Sequence, residues 1–329
     1  MLVILNPQSN AGTALQRWQP VERALRDRHP GMTVELPGDA DQAVKLVRAH
    51  LETTGGLEKT GGLGTTDDTA PEVIVAAGGD GMVNLVLNAI MDPDTDRPRR
   101  GAERIALGAI GLGSSNDFHK PLRRAATIAD VGVRVDAARA ETVDVGKATM
   151  VLPDGTRAVR YFLLNASMGL VAAGNDSFNH ATGALAWLKS KNVEAAIIAT
   201  ALRNIATHRP LRLEVRGTDW AHTAPITNIG VLKSVHFAGG MYYDTPVTRT
   251  DGRFDVNIWA AAGRLRILGL IAGLYRGAFA SSPLAICHRD TTVELRPERP
   301  APLELDGEIT LVESARLEVL PRVLKVCAA

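Results

Sequence analysis

A glycine-rich turn that contains an aspartate is the stretch of this sequence best suited to chemistry. Val73, Ile74 and Val75 lead into Gly78-Gly79-Asp80-Gly81, and a helical pattern of apolar residues follows. Glycines let the backbone approach a bulky anion closely, and the free N–H groups at a helix start attract negative charge. The turn therefore predicts a phosphate-binding site.

Asp80 places a further condition on such a site. A carboxylate beside a phosphate is repulsive unless a divalent cation bridges the two. The sequence contains no G-x-x-x-x-G-K-[ST] motif and no G-x-G-x-x-G after its first apolar run, which excludes a P-loop and the common dinucleotide fingerprint. A plain tight connection between a strand and a helix remains the structural alternative.

Three further stretches are candidates to share a ligand with this turn. They are NPQSNAG from Asn6, LGAIGLGSSNDFHK from Leu107, and LELDGEIT, in which Asp306 and Glu308 flank a glycine. Loops that follow parallel strands meet at the carboxyl edge of the sheet, where open α/β sheets hold their ligands. We therefore expect these loops to share one nucleotide.

The elements that would position these loops follow from the spacing of apolar residues. Apolar runs at 2–5, 73–77 and 104–110 alternate with helical patterns, which is typical of a parallel sheet covered on both faces. The predicted helices are 13–28, 41–51, 82–91 and 123–138. The glycine- and threonine-rich stretch 53–71 has no periodicity, which predicts a loop.

The pattern changes after TVDVGK at 142–147. Alternating apolar runs and a PDG turn predict strands, with helical patterns only near 184–206 and 263–276. The sequence thus predicts an α/β domain at 1–143 and a β-rich domain at 144–320. For the last strand, 321–329, a return to the first domain is left open.

Composition and charge limit the function further. With 37 basic and 36 acidic residues among 329, the net charge of +1 gives no general field for nucleic acid. The apolar stretches near 193–202 and 265–275 are too short to span a bilayer. The chain begins without a signal-peptide pattern and has only two cysteines, so we expect a cytoplasmic protein whose thiols are buried.

Together the motifs resemble the diacylglycerol kinase catalytic family, which includes sphingosine and ceramide kinases and soluble bacterial lipid kinases. The matching set is Asn6-Pro7 with Ser9, Gly78-Gly79-Asp80-Gly81 with Asn84, Gly113 with Asn116-Asp117-Phe118, VDVGK, Thr250-Asp251-Gly252 and Asp306-Gly307-Glu308. The resemblance spans essentially the whole chain. It implies a doubly wound domain related to that of NAD kinases, a β-sandwich domain that admits the lipid, and ATP in the cleft between them.

The resemblance also implies roles for individual residues. The backbone of Gly79, Asp80 and Gly81 would cradle the ATP phosphates, and the nucleotide site would include Asn6, Ser9, Gly78, Asn84, Gly113, Ser114 and Asn116. Asp306 would be the catalytic base, with Asp80 near a metal ion and Glu308 as a metal or positioning ligand. An acidic network of Asp117, Asp144 and Asp251 would hold Mg²⁺.

The residue types alone leave structural alternatives open for these acids. Asp117 could merely cap a helix, Asp251 could merely shape a turn, and LDGEIT could be a β-turn with exposed carboxylates. The sequence also departs from the family, since Met82 replaces the usual threonine and Gly113-Ser114-Ser115 the usual Gly-Thr before Asn-Asp. His119 and Lys120 stand where a small residue and arginine are common, so the nucleotide preference and the activity itself are in doubt.

A lipid alcohol at or from a membrane surface is the expected acceptor. The segment 263–279 places Leu265, Leu268, Ile271 and Leu274 along one face with Arg264, Arg266 and Arg276 nearby, so it could lie at a membrane surface, although helices of this pattern more often pack on their own domain. Packing of that face on its own domain is the alternative. Trp187 and Phe178 are candidates for an acyl-chain entrance, and a homodimer is left open.

Several functions compete for this set of residues. Within the family, ceramide or a sphingoid base could replace diacylglycerol, because pockets discriminate weakly between apolar tails. An NAD kinase-like enzyme would share the glycine-aspartate turn but not the Asn-Asp-Phe and Asp-Gly-Glu elements in this order. From another class, the chain could be a catalytically inactive lipid- or nucleotide-binding protein.

Overall fold

The computed structural model describes residues 1–10, 12–56, 72–122, 124–180, 182–191 and 193–328. The chain forms two compact units, Met1–Asp144 with Pro321–Ala329, and Val145–Leu320. Of the stretch 53–71 that was predicted as a loop, residues 57–71 lie outside the described residues, and residues 53–56 are the end of a helix.

The elements of the first half follow in chain order. They are β1 (Leu2–Leu5), α1 (Ala14–Arg28), β2 (Thr33–Glu35), α2 (Ala40–Gly56), β3 (Glu72–Gly78), α3 (Asp80–Ile90), β4 (Met91–Asp92), β5 (Arg97–Pro98), β6 (Ile105–Gly111), 3-10 helices at Asp117–His119 and Arg124–Ala126, β7 (Thr127–Ile128), β8 (Val131–Arg134) and β9 (Asp136–Val151).

The second half contains most of the strands. Its elements are β10 (Arg157–Phe162), β11 (Asn165–Gly169), α4 (Leu170–Asn179), α5 (Gly183–Lys191), α6 (Val193–Thr207), β12 (Leu211–Arg216), β13 (Ala221–Leu232), β14 (His236–Phe237), β15 (Met241–Tyr242), β16 (Phe254–Ala260), α7 (Arg264–Arg276), β17 (Ala285–Asp290), β18 (Thr292–Pro297), β19 (Ala301–Leu305), β20 (Glu308–Val312) and β21 (Ser314–Ala328).

A parallel sheet forms the centre of the first unit. β1 pairs with β2 on one side and β3 on the other, β3 pairs with β6, and β6 pairs with the end of β21, all in parallel. β8 adds an antiparallel strand to β6. Because the main strands are parallel, the loops that follow β1, β3 and β6 leave the sheet at the same edge.

Helices cover this sheet as the apolar periodicity requires. Trp18, Val21 and Leu25 of α1 join one buried cluster with Val3 of β1 and Val75 of β3. The alternate strand residues are buried as well, and α3 packs against β3 and α2. The predicted α/β fold class is therefore confirmed for this half.

The helix predicted over 123–138 is wrong. The described part of this segment holds a short 3-10 helix followed by β7, β8 and the start of β9. Ala129 and Asp130 both have positive φ and form the turn between β7 and β8. The alternation of Val131, Val133 and Val135 with other residues has the two-residue period of a strand, which the surrounding alanines obscured.

Antiparallel strands dominate the second unit, and their apolar residues form one core. β13 pairs with β16 along one edge and with β12 and β11 on the other, and β12 and β11 continue to β18 and β19. Side chains from these strands form a single buried cluster that includes Met168, Ile229, Val256 and Leu303. This agrees with the predicted β-sandwich.

A helical layer covers the other face of β13 and β16. Leu232 and Trp259 on that face share a cluster with Leu170, which begins α4, and with Ile267 and Leu274 of α7. Among the described residues, no helix has both the length and the apolar character that a bilayer span requires. The thiols differ from expectation, because Cys327 is buried but Cys287 is exposed.

Candidate functional site

The loops after β1, β3 and β6 meet at the carboxyl edge of the sheet in the first unit. The Asn6 amide donates to the Ala77 carbonyl at 2.9 Å, which joins the first loop to the second. The Leu112 and Gly113 amides donate to the Gly78 carbonyl at 2.8 and 3.1 Å, which joins the third loop to the second. The expected convergence of these loops is therefore observed.

Glycine is required where two of these loops touch. A Cβ atom on Gly113 would lie 2.4 Å from the Gly79 Cα and 3.1 Å from the Gly79 nitrogen. Any side chain at position 113 would thus push against the backbone of the turn. Gly79 is the N-cap residue of α3, where the first N–H groups have no partner within the helix.

The carboxylate of Asp80 points away from a phosphate site and into the neighbouring loop. Its two oxygens accept hydrogen bonds from the backbone amides of Asp117 and Phe118, both at 2.9 Å. These donors neutralise part of its charge, and the start of α3 favours a carboxylate. The repulsion that led us to expect a bridging cation at Asp80 is therefore relieved by the protein itself.

Most of the other residues predicted to bind the nucleotide have side chains that are hydrogen-bonded to other groups of the protein. The Asn6 side chain accepts from the Gln8 amide at 3.0 Å, and that of Asn84 accepts from Asn88 at 3.1 Å. Asn116 has a positive φ, and its amide group both accepts from and donates to the Gly113 backbone, at 2.9 and 2.8 Å. These side chains shape the loops, so the groups presented to a ligand are mainly backbone amides.

Two hydroxyls accompany these backbone groups. A Cβ atom on Gly78 would lie 3.1 Å from the Ser9 hydroxyl, which places Ser9 directly beside the turn. Ser114 is exposed on the third loop. Both are positioned to donate to an anion at this edge of the sheet.

Met82 occupies the position where the family usually has threonine. It is 7% exposed, and a Cβ atom on Gly78 would lie 2.8 Å from the Met82 Cβ. Met82 therefore packs beneath the turn, so its thioether cannot replace a threonine hydroxyl at a phosphate.

The three carboxylates predicted to hold Mg²⁺ are engaged by other groups. Asp117 accepts from Ser115 at 2.7 Å and pairs with Lys120. Asp144, which is 1% exposed, accepts from the Arg322 amide at 3.0 Å. The alternative that Asp117 merely caps a helix is not observed, because Asn116 is the cap residue of the 3-10 helix that begins at Asp117 and no side chain makes a cap hydrogen bond.

Asp251 lies in an ion-pair cluster of the second unit. Lys233, which is fully buried, donates to its carboxylate at 3.2 Å, and Arg289 pairs with its other oxygen. Burial alone would raise the pKa of Asp251, but hydrogen bonds from Thr248, the Arg253 amide and Lys233 lower it below its ordinary value. Among the described residues, no group of three or more His, Cys, Asp or Glu side chains could hold a metal ion. The predicted Mg²⁺ ligands do not fit such a site here.

The LDGEIT stretch is a two-residue hairpin turn between β19 and β20. Leu305 pairs with Glu308, and Asp306 and Gly307 between them have φ of 50° and 93°. Positive φ at both positions is the reason that Asp-Gly favours such hairpins. The β-turn alternative is therefore right about the backbone, but wrong in expecting Asp306 to be exposed, because it is 3% exposed.

Three backbone amides hold the carboxylate of Asp306. Leu163 donates to one oxygen at 2.8 Å, and Leu164 and Asn165 donate to the other at 2.8 and 3.1 Å. The Asp306 amide returns a hydrogen bond to the Asn165 carbonyl at 3.0 Å. Such donors stabilise a buried negative charge and fix the orientation of the carboxylate.

Glu308 begins β20, directly after this turn. The residue is exposed at the surface, but partial burial of its carboxylate raises its pKa above the ordinary value. A carboxyl group whose pKa is raised toward the working pH is better suited to accept a proton than an ordinary surface glutamate.

The sequence analysis missed a set of buried polar residues beside the Asp306 turn. They are Ser167, Asn228, Tyr243 and Glu304. Ser167 donates to Glu304, and Glu304 also accepts from the Gly307 amide at 3.0 Å. The available signal was a polar residue within an apolar strand, as in Ile226–Leu232, where Asn228 and Gly230 interrupt the pattern.

Comparisons with known proteins cover both units. The family model described as the diacylglycerol kinase catalytic domain matches residues 1–148. A second model, the YegS C-terminal NAD kinase beta sandwich-like domain, matches residues 169–328. The two matches together account for most of the chain.

Individual relatives agree with these models. A diacylglycerol kinase from Mycobacterium tuberculosis is 23% identical over 98% of this chain and 93% of its own length. A Stenotrophomonas maltophilia protein named "Probable lipid kinase YegS-like" is 26% identical over 77% of this chain and 78% of its own. A solved diacylglycerol kinase from Bacillus anthracis, at 17% identity, covers 100% of this chain and 96% of its own with a TM-score of 0.60, which supports the fold.

Asp80→Asn should loosen the loop that begins at Asn116. An asparagine keeps only one acceptor oxygen, so the amide of Asp117 or Phe118 loses its partner at a cost of about 1–3 kcal/mol. We expect a lower free energy of unfolding in urea and faster hydrogen exchange at these two amides. The exposed turn residue Asp94, changed to Asn, is the matched control. Unchanged exchange at both amides would show that Asp80 does not hold this loop.

Glu308→Gln should change how stability depends on pH. Because the pKa of Glu308 is raised in the folded state, its contribution to stability is complete below about 4.5, its ordinary value, and is lost as the pH rises through the raised pKa. The variant, which stays neutral, should match the wild type near pH 4 and be more stable at pH 7. Urea unfolding at both pH values measures this, with the exposed Glu313→Gln as control. Equal stability of variant and wild type at pH 7 contradicts it.

Proposed function

We propose that this chain, which belongs to the diacylglycerol kinase family and is a lipid kinase, transfers the γ-phosphate of ATP to a lipid hydroxyl. Diacylglycerol is the acceptor that we propose. The observation that carries the proposal is the meeting of the loops after β1, β3 and β6 at the start of α3 in the first unit. Helix starts of this kind are anion sites.

The donor site is proposed to be built mainly from backbone. Gly79, Asp80 and Gly81 supply amides at the start of α3, and Ser9 and Ser114 supply hydroxyls beside them. Asp80 contributes by fixing the loop at Asp117 and Phe118 rather than by touching the phosphates. Asn6, Asn84, Gly113 and Asn116 contribute by shaping the same loops. ATP enters as its magnesium complex, and no step is assigned to a separate metal site.

Asp306 is the proposed base of the acceptor site. The oxygen of the lipid hydroxyl attacks the γ-phosphorus, the bond from that phosphorus to the β,γ-bridging oxygen breaks, and ADP leaves with the electron pair. The hydroxyl proton passes to the Asp306 carboxylate. Its three amide contacts support this role, because an oriented carboxylate removes part of the cost of reaching the reactive geometry. Glu308 is the proposed positioning group.

The alternatives are weaker on specific observations. An NAD kinase-like activity would leave the buried Asp-Gly-Glu hairpin of the second unit unexplained. An inactive binding protein would use the Asp306 carboxylate only to hold residues 163–165, so ATP turnover with a set of lipids distinguishes it from a kinase. Ceramide and sphingoid-base phosphorylation share the same chemistry and differ only in the group beside the hydroxyl.

We propose that α7 places the second unit on the inner membrane face of the cell. Ile267 and Leu274 are buried, whereas Leu265 on the outer face is 84% exposed and Tyr275 is 56% exposed. α7 carries three arginines and no acidic residue, which complements an anionic lipid surface. Trp187 of α5, 65% exposed, adds an aromatic side chain of the kind that settles at membrane interfaces.

Asp306→Asn should abolish phosphoryl transfer while ATP binding is kept. The amide cannot accept the hydroxyl proton, and Asp306 lies in a different unit from the glycine turn. Product formation from ATP and a mixed lipid extract is read by the mass of the phosphorylated lipid, and ATP affinity is measured by calorimetry.

Asp154→Asn, in the exposed turn of another hairpin, is the control for the loss of an aspartate. A circular dichroism melt distinguishes loss of the base from loss of the turn. Turnover by Asp306→Asn near the wild-type rate would reject Asp306 as the base.

Leu265→Ser should weaken binding to anionic vesicles roughly tenfold, because one exposed leucine would no longer enter the bilayer surface. Co-sedimentation with phosphatidylcholine vesicles, with and without phosphatidylglycerol, measures the partition coefficient. Turnover of a short-chain lipid dispersed in detergent should stay unchanged.

Leu311→Ser is the matched control, since Leu311 is 49% exposed and belongs to a different element, β20. If Leu265→Ser and Leu311→Ser lower the partition coefficient equally, α7 is not the membrane-facing surface.

A further inference from the structure

Lys233 is a completely buried lysine in the second unit. It follows β13 directly and is 0% exposed, whereas lysine is among the residue types that are almost never fully buried without a partner. Removing an ammonium group from water is costly unless negative charge and hydrogen-bond acceptors surround it. The groups around Lys233 must therefore be arranged to hold a cation.

The loop between β15 and β16, residues 243–253, provides oxygen atoms that hold the Lys233 ammonium, and we call it the Asp251 loop. The Lys233 Nζ donates to a carboxylate oxygen of Asp251 at 3.2 Å and to the backbone carbonyl of Arg253 at 2.9 Å. The Arg253 amide donates to the same Asp251 oxygen at 3.1 Å, which fixes the carboxylate beside the carbonyl. Carboxylate and carbonyl oxygens are also the ligands that Mg²⁺ and Ca²⁺ prefer.

Two carboxylates share this region with two cations, and we call Lys233, Arg289, Asp251 and Asp255 the Lys233 cluster. Arg289 pairs with the second oxygen of Asp251, and its Nε lies 3.6 Å from Asp255. Burial, together with the charge of Asp251, raises the pKa of Asp255 above its ordinary value, and the charges of Arg289 and Lys233 act against that rise. With Arg289 alone the cluster would carry a net negative charge, so the Lys233 ammonium completes its neutralisation.

A divalent ion and the Lys233 ammonium would compete for the same oxygens of Asp251 and Arg253. The ammonium is covalently attached to the end of β13, so it neutralises Asp251 without the loss of translational freedom that a free ion pays on binding. It would also repel a second cation at that position. The donor set of the Asp251 loop is thus already satisfied by a cation that belongs to the chain.

The backbone of Lys233 connects the cluster to the segment that holds Asp306. The Lys233 and Ser234 amides both donate to the Leu164 carbonyl at 2.8 Å. The Leu164 amide donates to the Asp306 carboxylate, also at 2.8 Å. Lys233 therefore bonds the Asp251 loop through its side chain and the support of Asp306 through its backbone.

We infer that Lys233 is an internal counter-ion that takes the place of a divalent ion at the Asp251 loop. The loop is then held in position without bound metal, and the support of Asp306 does not depend on the concentration of Mg²⁺. Lys233 is thus a positioning residue. This inference concerns the second unit by itself and does not rest on the proposed function.

Two substitutions separate the charge of Lys233 from the space that its side chain fills. Lys233→Met removes the charge and keeps most of the volume, whereas Lys233→Ala removes both and leaves a space beside the Asp251 and Arg253 oxygens. Both variants should have a Tm about 10 °C below that of the wild type, because each leaves two carboxylates with one cation. Millimolar Mg²⁺ or Ca²⁺ should restore about half of that loss in Lys233→Ala and none of it in Lys233→Met.

Hydrogen exchange locates the effect, because divalent ions also bind to acidic groups elsewhere on a chain. The Arg253 amide reports on the Asp251 loop, and the Leu164 amide reports on the support of Asp306. In the wild type without nucleotide, each amide should exchange at the same rate in EDTA and in millimolar Mg²⁺. In Lys233→Ala both should exchange about tenfold faster in EDTA and slow again when the divalent ion is added.

Arg157→Met, which removes an exposed cation from β10, is the control and should change neither the Tm nor the exchange of these amides. Slower exchange at Arg253 when Mg²⁺ is added to the wild type would overturn the inference, since the loop would then hold an ion beside Lys233. A wild-type Tm for Lys233→Met, or equal responses of the two Lys233 variants to divalent ions, would overturn it as well. If Lys233→Ala does not fold, the wild-type exchange and the melt of Lys233→Met decide the question.

Discussion

A carboxylate that accepts backbone N–H groups from another segment is the interaction on which both units depend; it is partly buried at Asp80 and buried at Asp306. Asp80 holds the amides of Asp117 and Phe118, and Asp306 holds those of residues 163–165. In each case the negative charge is stabilised by the dipoles of backbone N–H groups rather than by a cation. Each carboxylate accepts hydrogen bonds from nearby backbone amides, and these bonds hold together two segments that are distant in sequence.

This constraint explains why glycines surround both acids. Gly113 approaches the backbone of Gly79 so closely that position 113 tolerates no side chain, and Gly307 completes a hairpin turn in which both central residues have positive φ. The acids fix the loops and the glycines allow the backbones to meet. What remains for a ligand is a set of oriented amides in the first unit and an oriented carboxylate in the second.

Local patterns were enough to predict the strands at 2–5, 73–77 and 104–110, because each is a short apolar run followed by a turn. Local patterns predicted the wrong element at 123–138, where alanines suggested a helix. Val131 and Val133 instead follow the two-residue period of a strand. The motifs identified the loops that carry the site, but not the partners of Asp80 or Asp251, since these contacts join residues 18–38 positions apart. The buried polar set of Ser167, Asn228, Tyr243 and Glu304 depends on strand pairing, which no local pattern reveals.

The final strand has a practical consequence for anyone who shortens this protein. The start of β21 pairs with β18 in the second unit, whereas Lys325 and Val326 pair with β6 in the first. A fragment that stops at residue 144 would keep β8 but leave Ala106 and Leu107 of β6 without the strand that pairs with them, and exposed strand edges recruit other chains. The first unit is thus completed by a strand that follows the whole of the second unit in the chain, so residues 1–144 alone lack part of their own sheet.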